Sequence, residues 1–268
     1  MEDLYFLSEI FDSVDIFVLI LVRLTGFFMI MPIFSGANIP GYIRMAFATG
    51  FAFMVYTGGM YGNAIVTYDE SVIAFTLLVL TEFAVGFTLA YVIYVVLSTL
   101  YFMGQFMDHG IGFNMVSVLD PTSQVQVPVT GNILYMLAVA LLIVGGGLHF
   151  ILVALFQSFS MAPIGTINFF VIDAVPQYII SLIISTFYIG LRLAMPIVGT
   201  IMVINIALGM LLKSMPQMNM FVVGIPVKLA LGLGIFFILL PAFADMFDVL
   251  FQLGYSAMEN IILYFAYG

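Results

Sequence analysis

The sequence predicts an all-α membrane protein, and three observations support this fold class. Hydrophobic residues make up 64% of the chain, whereas charged residues make up only 7%. Soluble domains carry roughly a quarter charged residues, because a folded chain needs a polar surface to face water. The apolar runs are also far longer than the segments of about ten alternating residues that build transmembrane barrels.

Six apolar segments predict about six long helices, some of them interrupted, within a single domain that covers residues 1–268. Helices are expected because hydrocarbon offers the backbone no hydrogen-bond partner, and a helix satisfies its own donors and acceptors. The approximate bounds of the segments are 16–34, 42–57, 72–103, 132–160, 177–212 and 220–251.

The fourth segment is predicted to be interrupted by glycines, and the fifth and sixth are too long for one straight span: either these helices are broken or kinked, or the protein does not lie flat in a bilayer. Gly146 and Gly147 lie within the fourth segment, where glycines let neighbouring helices approach closely. The fifth segment would be about 54 Å long as one straight helix, whereas a bilayer core is about 30 Å thick. Prolines in the last two segments remove backbone hydrogen bonds and are the predicted hinges. They are Pro196, Pro226 and Pro241.

The placement of charges predicts the orientation of the chain. When the segments are numbered in order, one side of the membrane holds eleven acidic residues and no Lys or Arg. The other side holds Arg44, Lys213 and Lys228. Because Lys and Arg accumulate in cytoplasmic loops, the N-terminus is predicted to be periplasmic.

Composition argues against several classes of function. The net charge of -9, from 5 basic and 14 acidic residues, leaves no basic stripe for a nucleic acid. There is no cysteine, and His109 and His149 lie far apart in sequence, so no metal site is predicted. No phosphate-binding loop, dinucleotide fingerprint or nucleophile–base arrangement occurs, so neither a cofactor nor catalysis is expected.

The stretch 104–128 differs from the rest of the chain, because only ten of its 25 residues are hydrophobic. Non-helical backbone at membrane depth is stable only where it is buried in protein or lines a wet cavity. Its phenylalanines and methionines suit an adaptable constriction that excludes water. Two interpretations stay open on composition alone: a plug-like loop inside a passage, or a surface loop between two helices.

Three charges fall inside apolar segments: Arg23, Glu82 and Arg192. A charge at the centre of a membrane helix costs about 2.5–3.5 kcal/mol on insertion scales, so each needs a partner or water. Either arginine is a candidate partner for Glu82, and snorkelling to an interface is a further structural interpretation. The functional alternative is an ion pathway. We favour structural pairing or a role in assembly, because a proton relay needs several linked titratable groups.

Six short motifs occur in order along the chain. They are Leu-Val-Arg-Leu-Thr-Gly-Phe-Phe at 21–28, Asn-Ile-Pro at 38–40, Asp-Pro at 120–121, Gly-Leu-His at 147–149, Asn-Ile-Ala-Leu-Gly-Met-Leu at 205–211 and Phe-Val-Val-Gly-Ile-Pro at 221–226. Each motif alone is weak, but in this order and spacing they make the chain resemble the FliR/SctT family of type III secretion export-gate membrane proteins.

The resemblance implies a structural and gating subunit rather than an enzyme. Such a subunit sits in the bacterial inner membrane at the flagellar basal body and forms a channel for unfolded export substrates. The implied partners are FliP-like and FliQ-like gate subunits and FlhB- and FlhA-like proteins. The implied fold is similar to a FliP-like part fused to a FliQ-like helical hairpin, in a complex raised out of the bilayer plane.

The resemblance also favours the plug interpretation of residues 104–128, because members of the family place a plug loop inside the gate. It implies that Phe113, Met115, Val116 and Leu119 obstruct the passage, and that the Asp-Pro turn holds the loop. The full set of predicted plug and gate residues is Phe106, Met107, Gly110, Gly112, Phe113, Asn114, Met115, Val116, Leu119, Asp120 and Pro121.

A secondary transporter for a small solute is the alternative function. Arg23, Glu82 and Arg192, together with proline-broken helices, would then form a site near the middle of the membrane. A transporter would act alone, whereas a gate subunit requires its partner proteins.

Overall fold

Helices account for nearly all of the structure, a computed structural model that describes residues 2–34, 39–62, 72–113, 128–167, 173–215 and 220–267. Seven helices lie within these ranges. They are α1 (Glu2–Ile30), α2 (Gly41–Thr57), α3 (Val72–Ile111), α4 (Val129–Val144), α5 (Gly147–Met161), α6 (Ala174–Ser214) and α7 (Met220–Tyr267). The predicted all-α membrane fold is confirmed.

Three helices extend beyond the predicted apolar segments. α1 begins at Glu2 rather than at residue 16, α3 continues to Ile111 rather than ending at residue 103, and α7 continues to Tyr267 rather than ending at residue 251. A helix that has formed gains one backbone hydrogen bond for each residue added, whatever the polarity of that residue. Hydropathy therefore marks the part of a helix that suits hydrocarbon and misses its polar ends.

Of the interruptions predicted within the apolar segments, the one at the glycines of the fourth segment is observed. α6 continues through Pro196, and α7 continues through Pro226 and Pro241, so neither helix is broken at its prolines. A kink at these prolines stays a prediction. α4 ends at Val144 and α5 begins at Gly147, so the fourth segment forms two helices. Gly146, directly before α5, has a φ of 75°, a left-handed conformation that glycine adopts without steric cost.

Three helices of the described chain are long and apolar enough to cross a membrane: α3, α6 and α7. The pair of α4 and α5 makes a fourth crossing if it counts as one span. Much of the apolar surface of α6 and α7 is exposed, including Met202, Ile206 and Ile238. Hydrocarbon or other protein subunits must cover this surface.

The chain packs into two units, and the prediction of a single domain stays a prediction. Unit 1 comprises Met1–Val96, Gly145–Leu182 and Gln252–Gly268. Its core includes Leu24, Phe27 and Phe28 of α1, all fully buried or nearly so. Phe28 stacks on Phe51 of α2, with ring centroids 5.5 Å apart. Spacings of three and four residues place the buried side chains on one face of each helix.

Unit 2 comprises Leu97–Val144 and Ile183–Phe251. The second half of α3 supplies a buried row at intervals of three and four residues, made up of Leu100, Met103, Met107 and Ile111. Phe102, on another side of α3, packs against Phe187 of α6, with ring centroids 4.2 Å apart. This unit contains both described ends of the predicted plug stretch.

Candidate functional site

The predicted plug stretch begins inside α3. Phe106, Met107 and Gly110 lie on the last turns of this helix, so the predicted start of the loop moves from residue 104 to residue 112. Gly112 and Phe113 form the turn that follows. The remaining predicted residues lie outside the described part of the chain: Asn114, Met115, Val116, Leu119, Asp120 and Pro121.

The end of α3 is fixed by a glycine turn. The backbone N–H groups of Gly112 and Phe113 both donate to the carbonyl oxygen of Asp108, at 2.9 and 3.1 Å. Gly112 has a positive φ of 97°. Helices often end with a glycine in such a conformation, because glycine has no Cβ atom to clash. The direction in which the chain leaves α3 is therefore set by local backbone geometry.

Phe106 and Met107 have different surroundings. Met107 is fully buried and belongs to the core of unit 2. Phe106 is 37% exposed and packs edge-on against Phe102, with ring centroids 4.8 Å apart. Of these two predicted gate residues, only Phe106 has a side chain that other molecules can reach.

Asp108 joins the end of α3 to the start of α4. Its Oδ1 atom accepts hydrogen bonds from the Thr130 hydroxyl, at 2.5 Å, and from the Thr130 backbone N–H, at 3.2 Å. The Thr130 hydroxyl also lies 3.1 Å from the Gly104 carbonyl oxygen. Asp108 is 1% exposed and Thr130 is fully buried. We call Asp108 and Thr130 the clasp.

Two glycines bring the backbones of α3 and α4 into contact beside the clasp. A Cβ atom at Gly104 would overlap the backbone of Gly131, and a Cβ atom at Gly131 would lie 3.1 Å from the backbone of α3 at Leu100 and Tyr101. Small residues at such crossings let helices approach closely. The clasp therefore lies next to a point where the backbones of α3 and α4 are in contact.

A cavity of about 690 Å³ lies in unit 2, next to the end of α3. Its lining combines apolar side chains from α3 and α7, such as Phe106 and Ile225, with the polar side chains of His109, Asn205 and Lys228. This combination suits binding of an apolar group with a polar end.

In unit 1 the structure brings Arg23 and Glu82 together. The Arg23 Nε–H group donates to Glu82 Oε2 at 2.6 Å, and both side chains are almost completely buried. Glu82 Oε1 accepts a second hydrogen bond from the backbone N–H of Gly165 at 3.3 Å. The pair links α1 to α3 within one unit, and each charge has its opposite charge in direct contact.

Arg23 also caps the C-terminal end of α5. Its Nη1 atom donates to the carbonyl oxygens of Ser158 and Ala162, both at 3.1 Å. The last carbonyls of a helix lack partners within the helix, and a cation there interacts favourably with the helix dipole. The guanidinium carbon lies 4.6 Å from the ring centroid of Phe159, which adds a cation–π contact.

Arg192 lies elsewhere, on α6 in unit 2, and its side chain is exposed. Among the described residues, no carboxylate forms an ion pair with it. The sequence left open which arginine pairs with Glu82, and the geometry selects Arg23. Arg192 remains a charge on the outer surface of a membrane-type helix.

Sequence reasoning missed the clasp. Asp108 lies in the stretch 104–128 but is not among the predicted plug and gate residues, and Thr130 lies outside that stretch. One available signal was an acidic residue four positions before a glycine at the end of an apolar helix. In the part of the chain that the structure describes, no group of three or more His, Cys, Asp or Glu residues is arranged to hold a metal.

Comparison with known proteins connects this geometry to a protein family. A family profile described as Bacterial export proteins, family 1, matches residues 14–254. This range includes the ion pair of unit 1, the clasp and the residues that line the cavity.

Individual relatives match over nearly their whole length. The flagellar biosynthetic protein FliR of Bacillus subtilis (strain 168) is 26% identical over 260 residues, which cover 96% of this chain and 98% of that protein. FliR of Escherichia coli (strain K12) is 26% identical over 252 residues, covering 90% of each chain. The surface presentation of antigens protein SpaR of Shigella flexneri is 24% identical over 237 residues, covering 87% of this chain and 89% of that protein.

Proposed function

Because the chain belongs to the bacterial export proteins, family 1, we propose that it is the FliR-type subunit of the gate of a flagellar protein export apparatus. It is a helical membrane component of bacterial export machinery. The observation that carries the proposal is the match over residues 14–254, supported by FliR relatives that align from end to end. Its role is structural and gating, and it needs no catalytic residue or cofactor.

The gate is proposed to assemble in the inner membrane at the flagellar basal body. The subunit joins FliP-like and FliQ-like subunits, contacts FlhB- and FlhA-like proteins, and helps to enclose the path of unfolded substrates. The exposed apolar side chains of α6 and α7 support this, since they require cover by protein or lipid. The N-terminus faces the periplasm, and a FliP-like part is followed by a FliQ-like hairpin.

The stretch 112–128 is proposed to plug the gate. Support comes from its low hydrophobic content between two apolar helices and from the clasp that joins those helices at its two ends. The proposed obstructing side chains are Phe113, Met115, Val116 and Leu119, and Asp120 with Pro121 forms the turn that holds them.

The transporter alternative loses the observations that favoured it. Arg23 and Glu82 are occupied by each other and by backbone groups, and Pro196, Pro226 and Pro241 do not break their helices. No observation in the described part of the chain favours a small-solute site built from these charges.

Two experiments test the proposal. First, the chain with an affinity tag, expressed from its native locus, should copurify FliP-like and FliQ-like subunits from detergent-solubilised membranes. Recovery of the chain alone from motile cells would overturn the assembly proposal.

Second, deletion of residues 114–119 should make assembled gates leaky to ions, measured as the collapse of an imposed potassium gradient in membrane vesicles. Deletion of residues 64–69, in another predicted connection between helices, is the matched control and should leave the gates tight. Equal leak from both variants, or from neither, would contradict a plug.

A further inference from the structure

The clasp ties together two points that are distant in sequence. Asp108 and Thr130 are 22 residues apart, and the whole proposed plug lies between them. Three of the contacts at Thr130 reach back to α3: two from its hydroxyl group and one from its backbone N–H. The chain therefore leaves α3 and enters α4 at neighbouring positions.

Asp108 supplies a helix cap that the local sequence does not. The first N–H groups of a helix lack partners within the helix, and the residue before it usually provides a side-chain acceptor. The residue before α4 is Pro128, whose ring has no acceptor atom. The carboxylate of Asp108 takes this role from another helix, and its charge suits the positive end of the α4 dipole.

Rearrangement at the clasp is unfavourable. Separation of the two helices would leave the buried Asp108 carboxylate without its donors, and unsatisfied buried charged groups are among the costliest defects in a protein. The backbone contact between Gly104 and Gly131 leaves little space for sliding. Both observations favour a joint that keeps one arrangement.

We infer that the clasp is the fixed anchor of the plug, and that it stays closed both when the gate is sealed and when it exports. Asp108 and Thr130 are thus positioning residues. They do not obstruct the export passage themselves but hold in place the stretch that does. The inference rests on the proposed function, because it requires residues between 112 and 128 to obstruct the gate. It adds that sealing depends on two buried residues outside that obstruction.

The first test compares three substitutions at buried threonines, of which the two changes to valine preserve the shape of the side chain and the change to serine removes one methyl group. Thr130→Val removes the hydroxyl donor to Asp108, whereas Thr130→Ser keeps it. Thr186→Val is the matched control, since Thr186 is equally buried in unit 2 but donates within its own helix, to the Ile183 carbonyl oxygen. Because a charge-assisted hydrogen bond is lost, ion leak per assembled gate should rise about tenfold or more in Thr130→Val.

Thr130→Ser and Thr186→Val should leak as little as the unaltered gate. Leak is normalised to the amount of copurified FliP-like subunit, so a variant that merely assembles poorly does not count as leaky. Equal normalised leak in Thr130→Val and Thr186→Val would overturn the inference. If, with that result, gates that lack residues 114–119 still leaked, the plug proposal would stand and only the inference about the clasp would be wrong.

The second test asks whether the clasp stays closed during export. The chain has no cysteine, so the double variant Asp108→Cys with Thr130→Cys places a single pair of thiols at the clasp. In vesicles, the reduced double variant should leak ions, because it lacks the hydrogen bonds of the clasp. Treatment with an oxidant or a short thiol cross-linker should make its gates tight, and reduction of a disulfide should make them leak again. Export of a flagellar substrate should continue with the cross-link in place. Loss of export on cross-linking, restored by reduction, would show that the clasp opens.

Discussion

Arg23 carries its charge inside unit 1, where its Nε and Nη1 atoms donate hydrogen bonds and its buried Nη2 atom has no hydrogen-bond partner among the described residues. Glu82, two backbone carbonyls at the end of α5 and the ring of Phe159 surround the guanidinium group. An arginine presents several donors in a fixed plane, so it can bind a carboxylate and carbonyl groups together, which a lysine ammonium cannot do in the same geometry. One side chain thus holds three helices of the unit.

Removal of one partner of this pair should destabilise the protein strongly. Glu82→Gln and Arg23→Met each leave a buried polar or charged group without its counterpart, which typically costs about 3–5 kcal/mol for a buried pair. The expected result is a large fall in the thermal stability of the detergent-purified protein. Arg192→Met, at the exposed arginine, is the control and should change stability little.

The double variant Arg23→Met with Glu82→Met separates charge pairing from simple loss of contacts. It removes both charges and should be more stable than the single Glu82→Gln variant, which keeps an uncompensated cation. A double variant as unstable as the sum of its single changes would argue that the two side chains act independently.

At the scale of elements, glycines decide which helices touch along their backbones. In unit 1, a Cβ atom at Gly86 of α3 would overlap the carbonyl group of Arg23, and a Cβ atom at Gly26 of α1 would lie 2.6 Å from the Phe83 carbonyl oxygen. The contact lies directly beside the ion pair. Close approach of α1 and α3 and the short Arg23–Glu82 distance therefore depend on the same two glycines.

Gly86→Ala should force α1 and α3 apart and lower the melting temperature of the purified protein. In Gly50→Ala, within α2, the added methyl group meets no atom within 4 Å. That control should be neutral or slightly stabilising, because alanine favours a helix by up to about 1 kcal/mol over glycine. Similar melting temperatures for the two variants would contradict the proposed backbone contact.

The crossing of α3 and α4 gives a parallel prediction with a functional measurement. Gly104→Ala would push against the backbone of Gly131 and separate the clasp, so ion leak per assembled gate should increase. Gly209→Ala, on α6, adds its methyl group in open space and should leave the gate tight. A tight Gly104→Ala gate would show that α3 and α4 tolerate greater separation.

Hydropathy predicted the apolar parts of the helices but not their polar ends. The apolar centre of α3 was evident from sequence, but its last two turns were assigned to a loop because they contain Gly104, Asp108 and Gly110. Asp108 is acceptable there because Thr130 lies beside it in space, and a single sequence does not reveal that partner. The pairing of Glu82 was likewise undecided, because Arg23 and Arg192 were equally plausible until their positions were known.

For the whole molecule, the main feature is apolar surface that the chain does not cover by itself. Met202 and Ile206 of α6 and Ile238 of α7 are each more than half exposed. In water such surface would drive aggregation, and in an export machine it meets lipid or neighbouring subunits. The helical core was predictable from composition, whereas the neighbour that covers each face depends on an assembly that the sequence of one chain does not contain.

A charge on this surface should prevent stable membrane assembly. Ile238 is 77% exposed and lies between long apolar stretches of α7, so Ile238→Lys should cost about 2.5–3.5 kcal/mol on insertion scales. Tyr267, 84% exposed at the last residue of the helix, offers a matched site where Tyr267→Lys should be tolerated. The amount of each variant in washed membranes checks this, and equal amounts would contradict an apolar environment around Ile238.

The ion pair of unit 1 also constrains how the ribosome delivers this protein to the bilayer. Arg23 emerges 59 residues before Glu82, which at about 5–20 residues per second is a delay of roughly 3–12 s. During that interval the first helix carries an uncompensated cation and is a poor occupant of hydrocarbon. We therefore expect the nascent chain to stay with the insertion machinery until its third helix has been translated.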